Sequence, residues 1–239
     1  MAVRRDPGGG AIWVTIAGLP QMARFTAADT TIAALLKVRI SDGAVLRRID
    51  LPMGRHIPGD LAIMKTGDIL ISDSHHPVLY RLRVDRDELE TMRHPLFRSL
   101  QGIAVDPLGR VFVADYSHGL LHVNLAAGTV RRLQDAPNST ALGCDGIAWY
   151  DGAIIAIQNG VSPARVMRFT LNAAADSIVS AMVIDRNSAI ADEPTLGVVA
   201  GDDLYYVANS QWEKHSATGE PRPGATLAPA IILRLRLKT

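Results

Sequence analysis

The sequence has few cysteines and no excess of charge of either sign. Cys144 is the only cysteine among 239 residues, which excludes an internal disulfide framework and a cysteine-based zinc site. Lysine and arginine number 25 against 24 acidic residues, a formal net charge of +1. Nucleic acids and anionic membranes are recognised by clustered positive charge. We therefore expect neither as a partner.

Long hydrophobic runs and common nucleotide motifs are also missing. No apolar run approaches the roughly 18 residues that span a membrane, and the first ten residues, MAVRRDPGGG, lack the apolar segment of a secretory signal. As written, the sequence predicts a soluble cytoplasmic protein, or a periplasmic or secreted one if an N-terminal segment is missing. No GxSxG, P-loop or GxGxxG motif is present, which removes the commonest hydrolase and nucleotide-binding interpretations.

What the sequence does contain is a repeated hairpin. Residues 99–116, SLQGIAVDPLGRVFVADY, hold two apolar runs around a turn at residues 106–109, where a proline and a glycine favour chain reversal. The first strands of such hairpins begin at Asp60, Gly102, Gly146 and Leu196, with spacings of 42, 44 and 50 residues. Spacings of this size are typical of the four-stranded blades of a β-propeller.

The repeats predict an all-β fold with one propeller domain over residues 11–239. Its blades cover about residues 11–50, 60–92, 102–133, 145–184 and 195–239, with about 18 strands in four-stranded antiparallel blades. Residues 1–10 are predicted to be irregular or disordered, because two arginines, Asp6 and Pro7 would have to enter a buried inner strand.

An absent first strand predicts a six-bladed plan of which this chain supplies about five blades, since propellers usually close their ring. The alternative is a five-bladed ring with a poor seam. Open end blades would also allow self-association.

The candidate chemistry lies just before the inner strands, which converge on one mouth of a propeller. Asp145, Gln101, Glu193 and Asp60 would bring oxygen ligands together there, as Ca²⁺, Mg²⁺ or Mn²⁺ requires. Asp145 is also the candidate catalytic base toward a bound water. The alternative is that these four side chains cap strand ends and bond neighbouring backbone.

Four further residues are candidates for lining the substrate site. His56 lies close to Asp60 in sequence, and Trp212 belongs to a long insertion over residues 210–229. Asn159 and Asn209 close second strands, at what we expect to be the opposite strand ends, where Asx side chains commonly bond the following turn instead.

Four segments together resemble a known family. QGIAVDPLGRVFVADY, CDGIAW, DEPTLGVV and VANSQW, within a chain similar from about Gly10 onward, resemble the six-bladed propellers that include senescence marker protein, gluconolactonase and luciferin-regenerating enzyme. The resemblance implies a divalent metal at the channel mouth, held by a glutamate, two asparagines and an aspartate. The aspartate matches Asp145, the asparagine positions fall on Gln101 and Gly59, and the glutamate would precede Met1.

The leading hypothesis is a metal-dependent hydrolase of lactones or related esters, with Asp145 as ligand and base and with Ca²⁺, Mg²⁺, Mn²⁺ or Zn²⁺ as the ion. A non-catalytic propeller that binds a small molecule or a protein is the second hypothesis. An inactive, truncated member of the resembled family is the third.

Overall fold

The computed structural model describes residues 1–86 and 88–238, and in these ranges five antiparallel sheets are present. Each sheet is a meander of consecutive strands, and we number the sheets as blades 1 to 5 in chain order. Blades 1 and 2 contain β1 (Val3–Arg5), β2 (Ala11–Ala17), β3 (Ala33–Arg39), β4 (Val45–Asp50), β5 (Pro58–Ile63), β6 (Ile69–Asp73), β7 (Val78–Arg83) and β8 (Glu88–Arg93). Blades 3 to 5 contain β9 (Leu100–Val105), β10 (Val111–Asp115), β11 (Gly119–Asn124), β12 (Thr129–Arg132), β13 (Cys144–Tyr150), β14 (Ala153–Gln158), β15 (Arg165–Leu171), β16 (Ile178–Arg186), β17 (Gly197–Ala200), β18 (Asp203–Val207) and β19 (Ile232–Arg236).

The hairpin of β9 and β10 shows how the sequence makes a blade. Both strands are almost wholly buried, as their apolar runs predict. In the turn, Asp106 Oδ1 accepts hydrogen bonds from the backbone N–H groups of Leu108 and Arg110 at 2.9 and 2.8 Å. Gly109 closes the turn with φ +82°, a conformation that other residues adopt only with strain.

The hydrophobic core is divided into clusters that lie between neighbouring blades. Leu61 and Tyr80 of blade 2 pack with Trp13 of blade 1, and a matching cluster joins each later pair of blades up to blades 4 and 5. The inner strands β5, β9, β13 and β17 follow one another in contact around a central channel. Face-to-face sheets around a channel define a β-propeller.

Blade 1 corrects the predicted strand count, because the described residues contain 19 strands rather than 18. The extra strand is β1, which lies within the N-terminal segment predicted to be irregular and pairs with β2. It is three residues long and ends before Pro7. Arg4 does not enter the apolar core, because its Nη2 forms an ion pair with Asp60 Oδ1 at 2.8 Å. The prediction had assumed that the whole strand would be buried and did not consider such a partner. A sixth blade stays a prediction.

The seam between blades 5 and 1 is joined mainly by loops. Gly219, in the long insertion of blade 5, lies against the loop that follows β2, since a Cβ added to Gly219 would lie 2.1 Å from the carbonyl oxygen of Pro20. Below these loops, Val3, Val198 and Ile232 are 51%, 44% and 60% exposed. Among the described residues, no helix is both long enough and apolar enough to cross a membrane.

Candidate functional site

One cavity gathers most of the sequence-predicted residues. It has a volume of about 430 Å³ and lies where the inner strands begin; we call it the upper mouth. Its walls come from the starts of inner strands, from the loops between blades and from segments that follow second strands. The lining residues are Met1, Ile57, Gly59, Ser74, Ser99, Gln101, Tyr116, Asp145, Asn159, Glu193, Thr195, Leu196 and Trp212.

Asp145 is the most constrained carboxylate of the upper mouth. Its Oδ2 accepts hydrogen bonds from Thr195 Oγ1 at 2.6 Å and from Asn159 Nδ2 at 2.9 Å. Burial raises the pKa of Asp145, and these two hydrogen bonds oppose the rise. The carboxylate is therefore fixed in orientation while its other oxygen has no hydrogen bond to a described side chain.

Asn159 carries an unsatisfied oxygen next to Asp145. Its Nδ2 also donates to the carbonyl oxygen of Pro194 at 2.8 Å, which fixes the orientation of the amide. Asn159 Oδ1 is buried and has no hydrogen-bond partner among the described residues. A buried acceptor of this kind usually has a partner, so this oxygen is suited to a bound donor or a cation.

Glu193 contributes a second carboxylate from a strained backbone position. Its φ is +62°, the left-handed region that favours glycine, at a cost of about 1–3 kcal/mol. Its Oε2 accepts the backbone N–H of Glu213 at 3.4 Å, and burial raises its pKa. Strain of this kind is common where a side chain must be held at a functional site.

The other predicted ligands differ in their placement. Gln101 lines the upper mouth and donates from Nε2 to Ser99 Oγ at 3.1 Å. Asp60 is fully buried and is not one of the residues that line this cavity. Its two oxygens accept hydrogen bonds from Arg4, from the N–H of Leu61 at 2.8 Å and from that of Ile103 at 2.9 Å.

The predicted substrate-lining residues also separate. Asn159 and Trp212 line the upper mouth, and Trp212 is 48% exposed. His56 is buried elsewhere in blade 2, with Nδ1 2.5 Å from Asp73 Oδ2 and Nε2 2.9 Å from the carbonyl oxygen of Pro52. Asn209 holds the end of the long insertion, since its Oδ1 accepts the N–H of Ile231 at 2.7 Å.

The expectation that Asn159 and Asn209 lie at the opposite strand ends was wrong. Ser210, next to Asn209, donates its N–H to the carbonyl oxygen of Glu193 beside the upper mouth. In an antiparallel hairpin the end of the second strand lies beside the start of the first, and Gln158 accordingly pairs with Cys144. The same relation explains Tyr116, which directly follows β10 and lines the upper mouth without having been predicted. Antiparallel pairing was the signal that could have found both residues.

The upper mouth is acidic. Asp145 and Glu193 line it, and no lysine, arginine or histidine is among its lining residues. The α-amino group of Met1, which also lines the cavity, helps to oppose the rise in the pKa of Asp145. Within the described ranges, no group of three or more histidine, cysteine, aspartate or glutamate side chains is arranged to hold a metal ion. A cation site here would therefore depend on amide oxygens as well as carboxylates.

Comparisons with known proteins agree with the propeller fold. A model of the NHL repeat matches residues 97–123, which cover the first three strands of blade 3. No curated protein is similar in sequence. The repeat and the structural neighbours together place the chain among the β-propellers.

Three solved structures illustrate the likeness. Virginiamycin B lyase from Staphylococcus aureus has 14% identity and a TM-score of 0.60, with 100% of this chain and 70% of that chain covered. The PQQ-bound aldose sugar dehydrogenase from Streptomyces coelicolor has 12% identity and a TM-score of 0.60, with 98% and 78% covered. An auxiliary nutrient binding protein from Bacteroides ovatus has 15% identity and a TM-score of 0.61, with 87% and 52% covered. At these identities the likeness concerns the fold.

Proposed function

We propose that the upper mouth binds a divalent cation and hydrolyses lactones or related esters there, as the family resemblance implies. The observation that carries the proposal is the buried, unpartnered Oδ1 of Asn159 beside the Asp145 carboxylate, in a cavity lined by no basic side chain. A cation would satisfy this oxygen and neutralise the carboxylates at once.

The donor set fits a hard cation. Asp145 and Glu193 supply carboxylate oxygens, and Asn159 and Gln101 supply amide oxygens, which suit Ca²⁺, Mg²⁺ or Mn²⁺. Zinc fits less well, because no histidine or cysteine lines the cavity. When bound, the ion would polarise the carbonyl group of an ester or lactone.

The remaining steps belong to the side chains. Glu193, whose carboxylate lines the same cavity as Asp145 and Asn159, can accept a proton from an attacking water. Asp145 shares the role of base through the oxygen that Thr195 and Asn159 leave free. The Tyr116 hydroxyl and Gln101 can donate hydrogen bonds that orient the substrate.

A second candidate is a binding site without catalysis. Trp212 lines the cavity with 48% of its surface exposed, and a tryptophan beside amide and carboxylate groups suits a small polar molecule. One structural neighbour is a nutrient binding protein and another a sugar dehydrogenase, which illustrates that this fold accommodates small polar ligands.

The test is a calorimetric titration of the full chain with CaCl₂, MgCl₂ and MnCl₂. We expect saturable binding that is weakened at least about tenfold in Asp145→Asn, because a charged ligand is lost. Asp151→Asn, on an exposed turn of the same blade, is the matched control and should bind like the wild type. No binding by the wild type, or equal binding by both variants, would overturn the proposal.

Hydrolysis is measured separately, with gluconolactone and aryl esters in the presence and absence of a chelator. Chelator-sensitive turnover supports the hydrolase. Cation binding without turnover of any of these substrates supports the second candidate.

We also propose self-association through the seam of blades 5 and 1. Its exposed Val3 and Ile232 would be stabilised by burial at about 25 cal/mol per Å² of apolar surface. Sedimentation velocity should show a dimer that Ile232→Glu dissociates, whereas Leu108→Glu, at an exposed turn of blade 3, should not. A monomer at all concentrations contradicts this proposal.

A further inference from the structure

The central channel contains a second cavity at its other end, which we call the lower channel. It has a volume of about 360 Å³ and is lined by residues of the inner strands of all five blades. Arg4 and Arg5 are among its lining residues, and no aspartate or glutamate is. Its charge is thus opposite in sign to that of the upper mouth.

The ion pair of Arg4 and Asp60 separates the two cavities. Along β5, Gly59 lines the upper mouth and Ala62 lines the lower channel, so Asp60 lies between them. Asp60 is fully buried and Arg4 is 20% exposed, with 2.8 Å between Arg4 Nη2 and Asp60 Oδ1.

Asp60 also demonstrates how this channel binds a carboxylate. The inner strands are sheet edges, and alternate residues of an edge direct their backbone N–H groups away from the sheet. The N–H groups of Leu61 and Ile103, on neighbouring blades, donate to the Asp60 oxygens at 2.8 and 2.9 Å. Together with the Arg4 guanidinium, they form a carboxylate site from three donors.

The same arrangement recurs two residues further along both strands. Ile63 and Val105 follow Leu61 and Ile103 by two positions, so strand alternation directs their N–H groups into the channel as well. Both residues line the lower channel. Arg5 lines it too, and its side chain makes no hydrogen bond or ion pair with any other described residue. This layer therefore has the donors of the Asp60 site without a carboxylate.

We propose that the lower channel binds a small organic carboxylate with an apolar body. Its carboxylate would take the Arg5 guanidinium and edge N–H groups, and its body would contact Ile63, Val105, Trp149 and Val198. Trp149 is held in place by Phe112, with the two rings 5.7 Å apart and inclined by 11°. Fixed apolar walls favour a ligand with a hydrocarbon part over inorganic phosphate.

The experiment is a calorimetric titration of the full chain with hexanoate, hexan-1-ol and hexylamine. Hexanoate should bind at one site and the other two should bind much more weakly. Arg5→Gln should weaken hexanoate binding about tenfold, because a charge-assisted hydrogen bond is lost. Arg131→Gln, at an exposed position on β12, is the matched control and should leave the affinity unchanged.

A second pair of variants tests the position of the site. Val198 is 44% exposed, so Val198→Asp and Val198→Asn are both compatible with folding, but only the aspartate repels an anion. Asp145→Asn, at the upper mouth, should leave hexanoate binding intact. The proposal is overturned if the wild type does not bind hexanoate, if hexan-1-ol binds equally well, or if Arg5→Gln has no effect.

Discussion

The upper mouth and the lower channel are two ends of one channel built by the same inner strands, yet they differ in charge and in the source of their polar groups. The upper mouth takes Asp145 from the start of β13, Glu193 from the loop between blades 4 and 5, and Trp212 from the long insertion within blade 5. The lower channel takes its donors from strand edges and from Arg5 on β1. Repeated strands thus supply a common frame, and the loops and the irregular first strand supply the chemistry.

The largest effect should come from removing the group that separates the two ends. Asp60→Ala leaves Arg4 partly buried without its partner and leaves the N–H groups of Leu61 and Ile103 unpaired. Loss of one partner of a buried ion pair costs about 3–5 kcal/mol. We expect a decrease of about 3 kcal/mol in the free energy of unfolding, measured by urea denaturation.

The matched control is Asp42→Ala, whose partner Arg39 is exposed and whose ion pair should contribute less than about 1 kcal/mol. Because Arg4 becomes available in Asp60→Ala, hexanoate should also bind more tightly to this variant under conditions where it is folded. Equal stability losses in the two variants would contradict the separating role of Asp60.

The next largest effect should be tighter Ca²⁺ binding at the upper mouth, produced by a substitution that leaves the lower channel unchanged. Gly59 lines the upper mouth without a side chain, and its φ lies outside the left-handed region. A Cβ there would have its nearest neighbour, Gln101 Oε1, at 3.5 Å, an ordinary contact distance. Gly59→Asn should therefore add an oxygen ligand and tighten Ca²⁺ binding severalfold in calorimetry.

Gly59→Ala separates the added ligand from the added bulk and should not tighten binding. Hexanoate affinity should be the same in both variants. Tighter Ca²⁺ binding in the alanine variant would contradict the interpretation that the asparagine oxygen coordinates the ion.

Acid should affect the two ends in different ways. Burial raises the pKa values of Asp145 and Glu193, so without a cation each loses its proton at a higher pH in the folded protein than in the unfolded chain. Their contribution to stability is fully present below the ordinary pKa of a carboxyl group, and it is lost as pH rises through the raised value. Urea denaturation of Asp145→Asn should therefore show a weaker fall in stability over this window than the wild type.

Cation binding has the opposite dependence on pH, because the ligands must be deprotonated. Ca²⁺ affinity should fall as pH decreases toward the raised pKa values. The lower channel has no aspartate or glutamate among its lining residues, so it lacks this dependence on carboxyl groups of the protein. A Ca²⁺ affinity independent of pH would exclude both carboxylates as ligands.

The sequence predicted the features that depend on local patterns. Apolar runs, turns and their spacing predicted five blades, and the phase of the repeat brought Gln101, Asp145 and Glu193 to one cavity. β1 escaped prediction because three residues with two arginines carry no strand pattern, and the charge of Arg4 is compensated by Asp60, 56 residues away. The use of Asp60 by Arg4 and two strand edges is a tertiary effect that no local pattern contains.

The smallest effect is expected at Tyr116 in the upper mouth. Its phenol could serve as an anionic ligand, but burial, together with Asp145 and Glu193, raises the pKa of its hydroxyl. The hydroxyl therefore stays protonated at neutral pH and acts as a hydrogen-bond donor to a substrate rather than as a ligand. Tyr116→Phe keeps the ring, which packs against Gly160, and should leave Ca²⁺ affinity within about twofold of the wild type. If Ca²⁺ binding in this variant fell as far as in Asp145→Asn, the phenol oxygen would belong to the cation site. The negative charge that distinguishes the upper mouth from the lower channel would then come from Asp145, Glu193 and Tyr116 together.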